Sequence, residues 1–322
     1  MSHALSTSGL LSRSMSCPLF CSGDPTMFEP YWKKVGDKCS VEIQGGESMS
    51  YFSDAKSVCW FLEPQLRDEI VRVHSVVGNA EATNDRHLVV GTGSTQLYQA
   101  ALYALTAPGG DEPVSVICAA PYYSGYEEAT DILRSGLFKW GGDAYLYEGN
   151  GPFVEVVTTP NNPDGRIREA VVKKGNGKTI HDLAYYWPQY APISGAADHD
   201  VMLFSFSNGT GYAGSRIGWA IVKEKEVARK MTKFIEVCSI GVSKEAQMRA
   251  ARILEFISES CKRSGEGSFF GVAKGMMAAR WEKLRETVKG EWELRVAKVF
   301  RRVLQLLQEL LINISSFCVA EM

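Results

Sequence analysis

The residues whose types and spacing could do chemistry gather in one stretch, Val201–Trp219, VMLFSFSNGTGYAGSRIGW. An apolar run, Val201–Phe206, reads as a buried strand. It opens into a loop of Ser, Gly and Thr, then returns through Arg216 to a second apolar run, Ile217–Val222. A strand–loop–strand of this kind puts small hydroxyls, Ser205 among them, beside backbone N–H groups and one guanidinium. That set suits a bound anion, because an Arg fork grips phosphate in two places and stays charged. An ordinary hairpin with a polar tip fits the same residues. Ligand sites of α/β proteins sit at strand ends, so both readings stand on this stretch alone.

Three further segments carry polar groups next to apolar runs. Gly91-Thr-Gly-Ser-Thr follows the strand-like HLVVG (87–91) and feeds QLYQAALYAL, where Leu97, Ala101 and Leu105 share a helical face. A Gly-rich turn entering a helix is a phosphate cradle, since free N–H groups and the helix dipole both face the anion. The turn lacks the third glycine of a dinucleotide fingerprint, and Ser94 or Thr95 could simply cap the helix. PNNPDG (160–165) offers Asn162, although Asn is common in Pro/Gly-rich turns. HDLAYYW (181–187) offers Asp182 and Tyr185. On position alone, Asp182 reads more readily as a helix N-cap or a surface acid than as a site residue.

In this order and spacing the segments resemble the plant tryptophan aminotransferase and alliinase family, which are fold-type I pyridoxal-phosphate enzymes. The resemblance runs from about Gly23 to about Lys289. It includes GDPTMFEPYW (23–32), SYFSD (50–54), CWFLEP (59–64), VVGTGSTQLYQAAL (89–102), HDLAYYWPQY (181–190) and GSRIGWA (214–220). The resemblance implies pyridoxal 5'-phosphate as cofactor. It implies Ser94, Thr95, Ser205 and Arg216 as phosphate ligands, joined by Tyr51 from an arm of the partner subunit. It implies an aromatic stacked on the ring, Tyr122 or Tyr123, and Asp182 holding the ring proton. Asn162 and Tyr185 match the groups that hydrogen-bond the ring oxygen. The implied partners are amino acid and 2-oxo acid substrates and a second copy of the chain. The implied activity is transamination of L-tryptophan to indole-3-pyruvate, a step of auxin biosynthesis. Carbon–sulfur lysis of the alliinase type is the alternative.

One departure bears on every one of these implications. The family reads Ser-x-x-Lys before TGxAGSRIGWA, and that Lys bonds covalently to the cofactor aldehyde. Here the residue is Asn208. An amide nitrogen is not nucleophilic, and it cannot act as the general base that moves the α-proton, a role worth roughly 10²–10⁴-fold. Lys223 lies beyond a strand that should carry it to the far end of the sheet. The resemblance therefore implies an aminotransferase scaffold without its covalent step. A catalytically impaired protein that binds cofactor, or pairs with active relatives, is the further alternative. Asn208-Gly-Thr also spells a glycosylation acceptor, read as accidental in a cofactor cleft.

The elements that must position these groups follow from the rest of the chain. Its 322 residues, 45% of them hydrophobic and 22% charged, suffice for a large core. The net charge of −2 provides no basic field for nucleic acid and no polybasic membrane face. The eight cysteines are scattered, and no second close pair answers Cys17 and Cys21. That argues against zinc and for a reducing compartment, with Cys59 and Cys118 as buried thiols. With no signal peptide or Cys-rich module before the core, the resemblance points to the cytoplasmic branch. Residues 1–22 read as a disordered or targeting-like tail, and residues 23–63 as an irregular arm.

Pro64 opens a helix to Val77 with Leu66, Ile70, Val73 and Val77 on one face. VSVICAAP (114–121), FVEVVTTP (153–160) and TIHDLAY (179–185) read as buried strands joined by helical connections. Residues 64–235 are thus expected to form the cofactor-binding large domain. Its fold class is α/β, a mostly parallel sheet with helices on both faces. KEKEVARKMTKFIEV and SKEAQMRAARILEFISESCK are helical in period. Residues 236–322 are expected to hold a long helix and an incomplete small C-terminal domain. After about Glu291 the resemblance stops, and Val296–Leu310 reads as an amphipathic helix. Arg301 and Arg302 do not match the family's carboxylate-gripping Arg.

Overall fold

A computed structural model of the chain describes residues 25–83, 85–106, 112–173, 175, 177–262 and 267–292. The 1–22 tail, the Val296–Leu310 segment, Arg301 and Arg302 lie outside the described residues. The arm begins with a 3₁₀ turn, Pro25–Phe28, and α1 (Glu29–Val35). α2 (Pro64–Val77) starts on proline, where a missing N–H costs nothing, and stops at Gly78 with φ 72°. The expected face is buried at Leu66, Ile70 and Val73, with Val77 partly covered.

The α/β alternation follows: β1 (His87–Gly91), α3 (Ser94–Leu105), β2 (Val114–Cys118), α4 (Gly125–Asp131), β3 (Phe138–Asp143). β4 (Phe153–Thr158), β5 (Lys178–Asp182), β6 (Val201–Ser205), α5 (Phe206–Thr210) and β7 (Gly218–Val222) complete the sheet region. α6 (Lys225–Ser239), α7 (Lys244–Lys262) and α8 (Phe269–Trp292) close the described chain. Among the described residues no helix is long and apolar enough to cross a membrane.

The strands form one sheet in the order β1-β7-β6-β5-β4-β2-β3. β3, β2, β4, β5 and β6 run parallel, and β7 lies antiparallel between β6 and β1. Every residue of β4, β6 and β7 is buried. Side chains alternate between sheet faces, so helices cover both sides, as a mostly parallel sheet requires. One apolar cluster joins the arm, the sheet and helices α2, α3, α6, α7 and α8.

Two sequence expectations change. The β4–β5 and β5–β6 connections carry no helix among the described residues. Pro160, Pro163, Gly165, Gly175 and Gly177 interrupt the first of these, removing donors and helical preference. The Val201–Val222 stretch is also more than a hairpin. Phe206 begins the short helix α5, and Ala213–Ser215 forms a 3₁₀ turn before β7. β3 escaped the sequence reading because FKWGGD, with Gly141 and Gly142, lacks strand alternation.

Candidate functional site

The carboxyl ends of β1, β4, β5 and β6 and the start of β7 converge on one cleft. Its lining includes Gly93, Ser94, Thr95, Tyr123, Asn162, Asp182, Tyr185, Ser205, Asn208 and Arg216, together with Tyr126, Thr158, Ala184 and Ser207. The sheet brings these together because Thr158 pairs with Asp182, Asp182 with Leu203, and Ser205 with Gly218. A strand-end cleft in a parallel sheet is where α/β folds bind ligands.

One end of the cleft is built for an anion. Gly93 caps α3 at φ 83°, and no side chain caps the helix start. The helix N-terminus therefore presents its backbone donors to the cleft, beside the hydroxyls of Ser94 and Thr95. A Cβ on Gly93 would stand 2.7 Å from Arg216 Nη2, so glycine is what lets the guanidinium approach. Gly218 does the same from below: a Cβ there would lie 2.9 Å from the Ser94 backbone nitrogen and 2.8 Å from the Gly93 carbonyl carbon. Arg216 itself holds φ 50°, a left-handed conformation that costs backbone energy for any residue with a Cβ. Its Nη1 donates to the Ala213 carbonyl at 2.9 Å, which orients the fork.

The other end carries a carboxylate. Asp182 Oδ2 accepts from the Tyr126 hydroxyl at 2.6 Å, and Oδ1 accepts from the Ala184 N–H at 3.0 Å. Burial pushes the Asp182 carboxyl up, and those two donors pull it partly back. The Tyr126 oxygen lies 2.7 Å from Thr158 Oγ1, which holds the phenol against the carboxylate. Tyr126 and Thr158 were missed in the sequence. Tyr126 lies three residues beyond Tyr123 in a short helix with no motif to mark it.

Of the two tyrosines at the β2 end, Tyr123 lines the cleft and packs edge-on against Tyr126 at 5.5 Å. Tyr122 turns away to an edge contact with Trp140 at 5.1 Å and is absent from the lining. Tyr51 is also outside the cleft. It is 58% exposed beside Phe52 and Trp60, in a separate open groove with Ile240 and Lys244.

Asn208 sits in α5 at the cleft wall. Its side chain hydrogen-bonds the Tyr185 hydroxyl, whose pKa burial drives well above 10.0. Tyr190 Oη and Gln189 Nε2 donate to the Asn208 carbonyl at 3.1 and 3.2 Å. Trp32 Nε1 donates to the Thr210 carbonyl at 2.8 Å, and a Cβ on Gly209 would stand 3.2 Å from the Trp187 ring. The arm and the Tyr185–Tyr190 segment thus clamp α5 from two sides. Lys223 lies one residue past Val222, which pairs with Val201 at the opposite end of the strands from Ser205. Its Nζ donates to the Asp198 carbonyl at 3.0 Å, well away from the cleft.

The donor chemistry fits a pyridine phosphate. Hydroxyls, helix N–H groups and a guanidinium gather at one end, a carboxylate with its own donors lies at the other, and an aromatic edge lies between. The described lining contains no primary amine.

The family model described as Allinase matches residues 20–317. Tryptophan aminotransferase-related protein 2 of Arabidopsis thaliana is 56% identical over 267 residues, covering 83% of this chain and 60% of that protein. Its namesake in Oryza sativa subsp. japonica is 54% identical over 278 residues, covering 82% and 54%. Alliin lyase of Allium cepa is 35% identical over 272 residues, covering 82% and 55%. The chain thus spans little more than half the length of these relatives. Among solved structures, an aspartate aminotransferase double mutant of Thermus thermophilus superposes with a TM-score of 0.55 at 16% identity, covering 83% of this chain and 69% of that one. A Pyrococcus protein, protein-A1, gives 0.58 at 15% identity, covering 83% and 69%. These likenesses show the fold.

Proposed function

The chain belongs to the alliinase family, and from that premise we propose that it binds pyridoxal 5'-phosphate without a covalent bond and is a catalytically impaired member of the tryptophan aminotransferase branch. Its substrate pair on this reading is L-tryptophan and a 2-oxo acid. The observation that carries the reading is the cleft itself, complete at its phosphate and carboxylate ends and lacking any primary amine in its described lining.

When bound, pyridoxal phosphate supplies an electron-accepting ring that makes the α-proton of an amino acid acidic. The α3 N-terminus, Ser94, Thr95, Ser205 and Arg216 would hold the phosphate. Asp182, kept in place by Tyr126 and Ala184, would hold the ring-nitrogen proton. Tyr123 would cover the ring, and Asn162 and Tyr185 would hydrogen-bond the ring oxygen. Asn208 cannot take a proton from a substrate carbon at neutral pH, so proton transfer lacks its base. Tyr51, exposed on the arm, is the group a second copy would receive if the chain dimerises as the family does.

The test is product analysis of the full chain with cofactor, using tryptophan plus pyruvate in one reaction and an alkylcysteine sulfoxide in another. The expected result is cofactor retained by the unaltered chain with neither product formed. A borohydride-stable adduct should appear at position 208 in Asn208→Lys and be absent from the unaltered chain. Pyruvate released from the sulfoxide by Asn208→Lys would move the chain to the lyase branch. Rapid tryptophan turnover by the unaltered chain would overturn the reading of Asn208.

A further inference from the structure

We propose that this cleft takes the amine form of the cofactor, pyridoxamine 5'-phosphate, in preference to the aldehyde form. The proposal rests on the reading of the cleft as a pyridoxal-phosphate site and names which member of that ligand class it selects.

An aldehyde carbon bonds to a protein through a primary amine, and the described lining supplies none. Lys223 is held by Asp198 at the far end of β7. The aldehyde oxygen is an acceptor only, so without the covalent bond it gains only neutral hydrogen bonds at this wall. The amine form presents an ammonium, with three donors and a positive charge. The group at the wall is the Asn208 amide, which couples an acceptor oxygen to its N–H donors. It is hydrogen-bonded to Tyr185, and its backbone is pinned by Tyr190 and Gln189. Ser207 lines the same cleft and carries a hydroxyl that can serve as a second acceptor.

Charge points the same way. Arg216 stands against Gly93, among the phosphate ligands. The other charged group of the described lining is the Asp182 carboxylate. Asp182 is taken by the ring nitrogen, para to the carbon that bears the amine, so a cofactor ammonium meets the neutral acceptors at the Asn208 wall, with no lysine in the described lining to repel it. A hydrogen bond with one ionised member is roughly twice as strong as a neutral one. The phosphate contacts are common to both forms, so the difference between them reads the wall at Asn208.

The experiment is calorimetric titration of each form into the full chain and into Asn208→Leu, Asn208→Lys and Arg216→Ala. The amine form should bind the unaltered chain about tenfold more tightly than the aldehyde form. Asn208→Leu, of similar volume without the amide, should bring the two Kd values within about twofold. Asn208→Lys should reverse the order, through repulsion of the ammonium and bonding of the aldehyde. Equal or tighter binding of the aldehyde by the unaltered chain overturns the preference and leaves the cofactor site standing. A preference that survives in Asn208→Leu overturns its assignment to the amide. Failure of both forms to bind, or binding indifferent to Arg216→Ala, overturns the cofactor-site reading and the preference with it.

Discussion

Acid should destabilise this protein well above the carboxylate range, and His181 shows why. It lies in β5 next to Asp182, 8% exposed, with its ring stacked on His199 at 3.5 Å and 5°. Its Nδ1 is buried without a hydrogen-bond partner. Burial, then the neighbouring His199, lowers its pKa from 6.5 to about 3. Around the pair, Lys223 lowers the His199 pKa, while Asp198, Asp200 and Glu169 raise it, and burial outweighs them all. A folded-state pKa below the unfolded value means the unfolded chain binds more protons, so stability falls as pH falls through 6.5 toward the folded value. Between about pH 7 and about pH 5 the loss from this one group is about 2 kcal/mol. A domain is stable by only about 5–15 kcal/mol, so that loss is large. His181→Phe keeps a ring against His199 and deletes the orphaned nitrogen. Urea unfolding at the two pH values should show the variant at least as stable near neutrality and losing about 2 kcal/mol less on acidification. An unchanged difference between the two pH values would refute the claim that a neutral buried His181 carries the acid sensitivity.

His74 should give the same sign with a different cost. Its Nδ1 donates to Asn79 Oδ1 at 2.7 Å, its Nε2 accepts from Trp219 Nε1 at 2.9 Å, and burial lowers its pKa to about 4. His74→Phe should flatten the pH dependence yet lose about 1–3 kcal/mol at neutrality, because Trp219 and Asn79 are left unsatisfied; equal stability at neutral pH would contradict that network. Gly218→Ala forces a Cβ to within 3 Å of backbone in α3 and β6, so denaturant midpoints should fall by the equivalent of about 1–3 kcal/mol. A variant as stable as the parent would show that the β7–α3 approach is looser than described. Tyr126→Phe removes a donor that favours the ionised Asp182, so carbon NMR of the carboxyl should report a pKa raised further; a fall would mean the hydroxyl does not support the carboxylate.

Much of the site was legible because its chemistry is local. GTGST before a helix, the Asp after a strand and the Arg before β7 are each fixed by a few neighbouring residues, and the sheet only has to bring strand ends together. Tyr123 and Tyr122 could not be separated from sequence, because adjacent strand-end residues point to opposite sides and the choice depends on Trp140 in a strand that FKWGGD barely signals. Tyr126 and Thr158 were hidden for a different reason. Tyr126 acts on Asp182 through a hydrogen bond between residues 56 apart, and Thr158 acts through Tyr126, 32 residues away, separations that periodicity does not encode. The same limit explains the helices wrongly expected around β5: alternation gives an α/β rhythm, but whether a crossover is helical depends on its own prolines and glycines.

The clamp on α5 connects these observations to Asn208. Trp32, Trp187, Gln189 and Tyr190 hold the backbone on either side of that residue. None of those contacts uses the side chain at 208. The scaffold would hold a lysine there in the same place, and it keeps the asparagine amide on Tyr185 now. Loss of the amine therefore need not loosen the fold or the phosphate cradle, since Arg216, Gly93 and Gly218 pack without reference to it. Binding and the covalent step are separable in this architecture, which is why substitutions at position 208 can test each without unfolding the other.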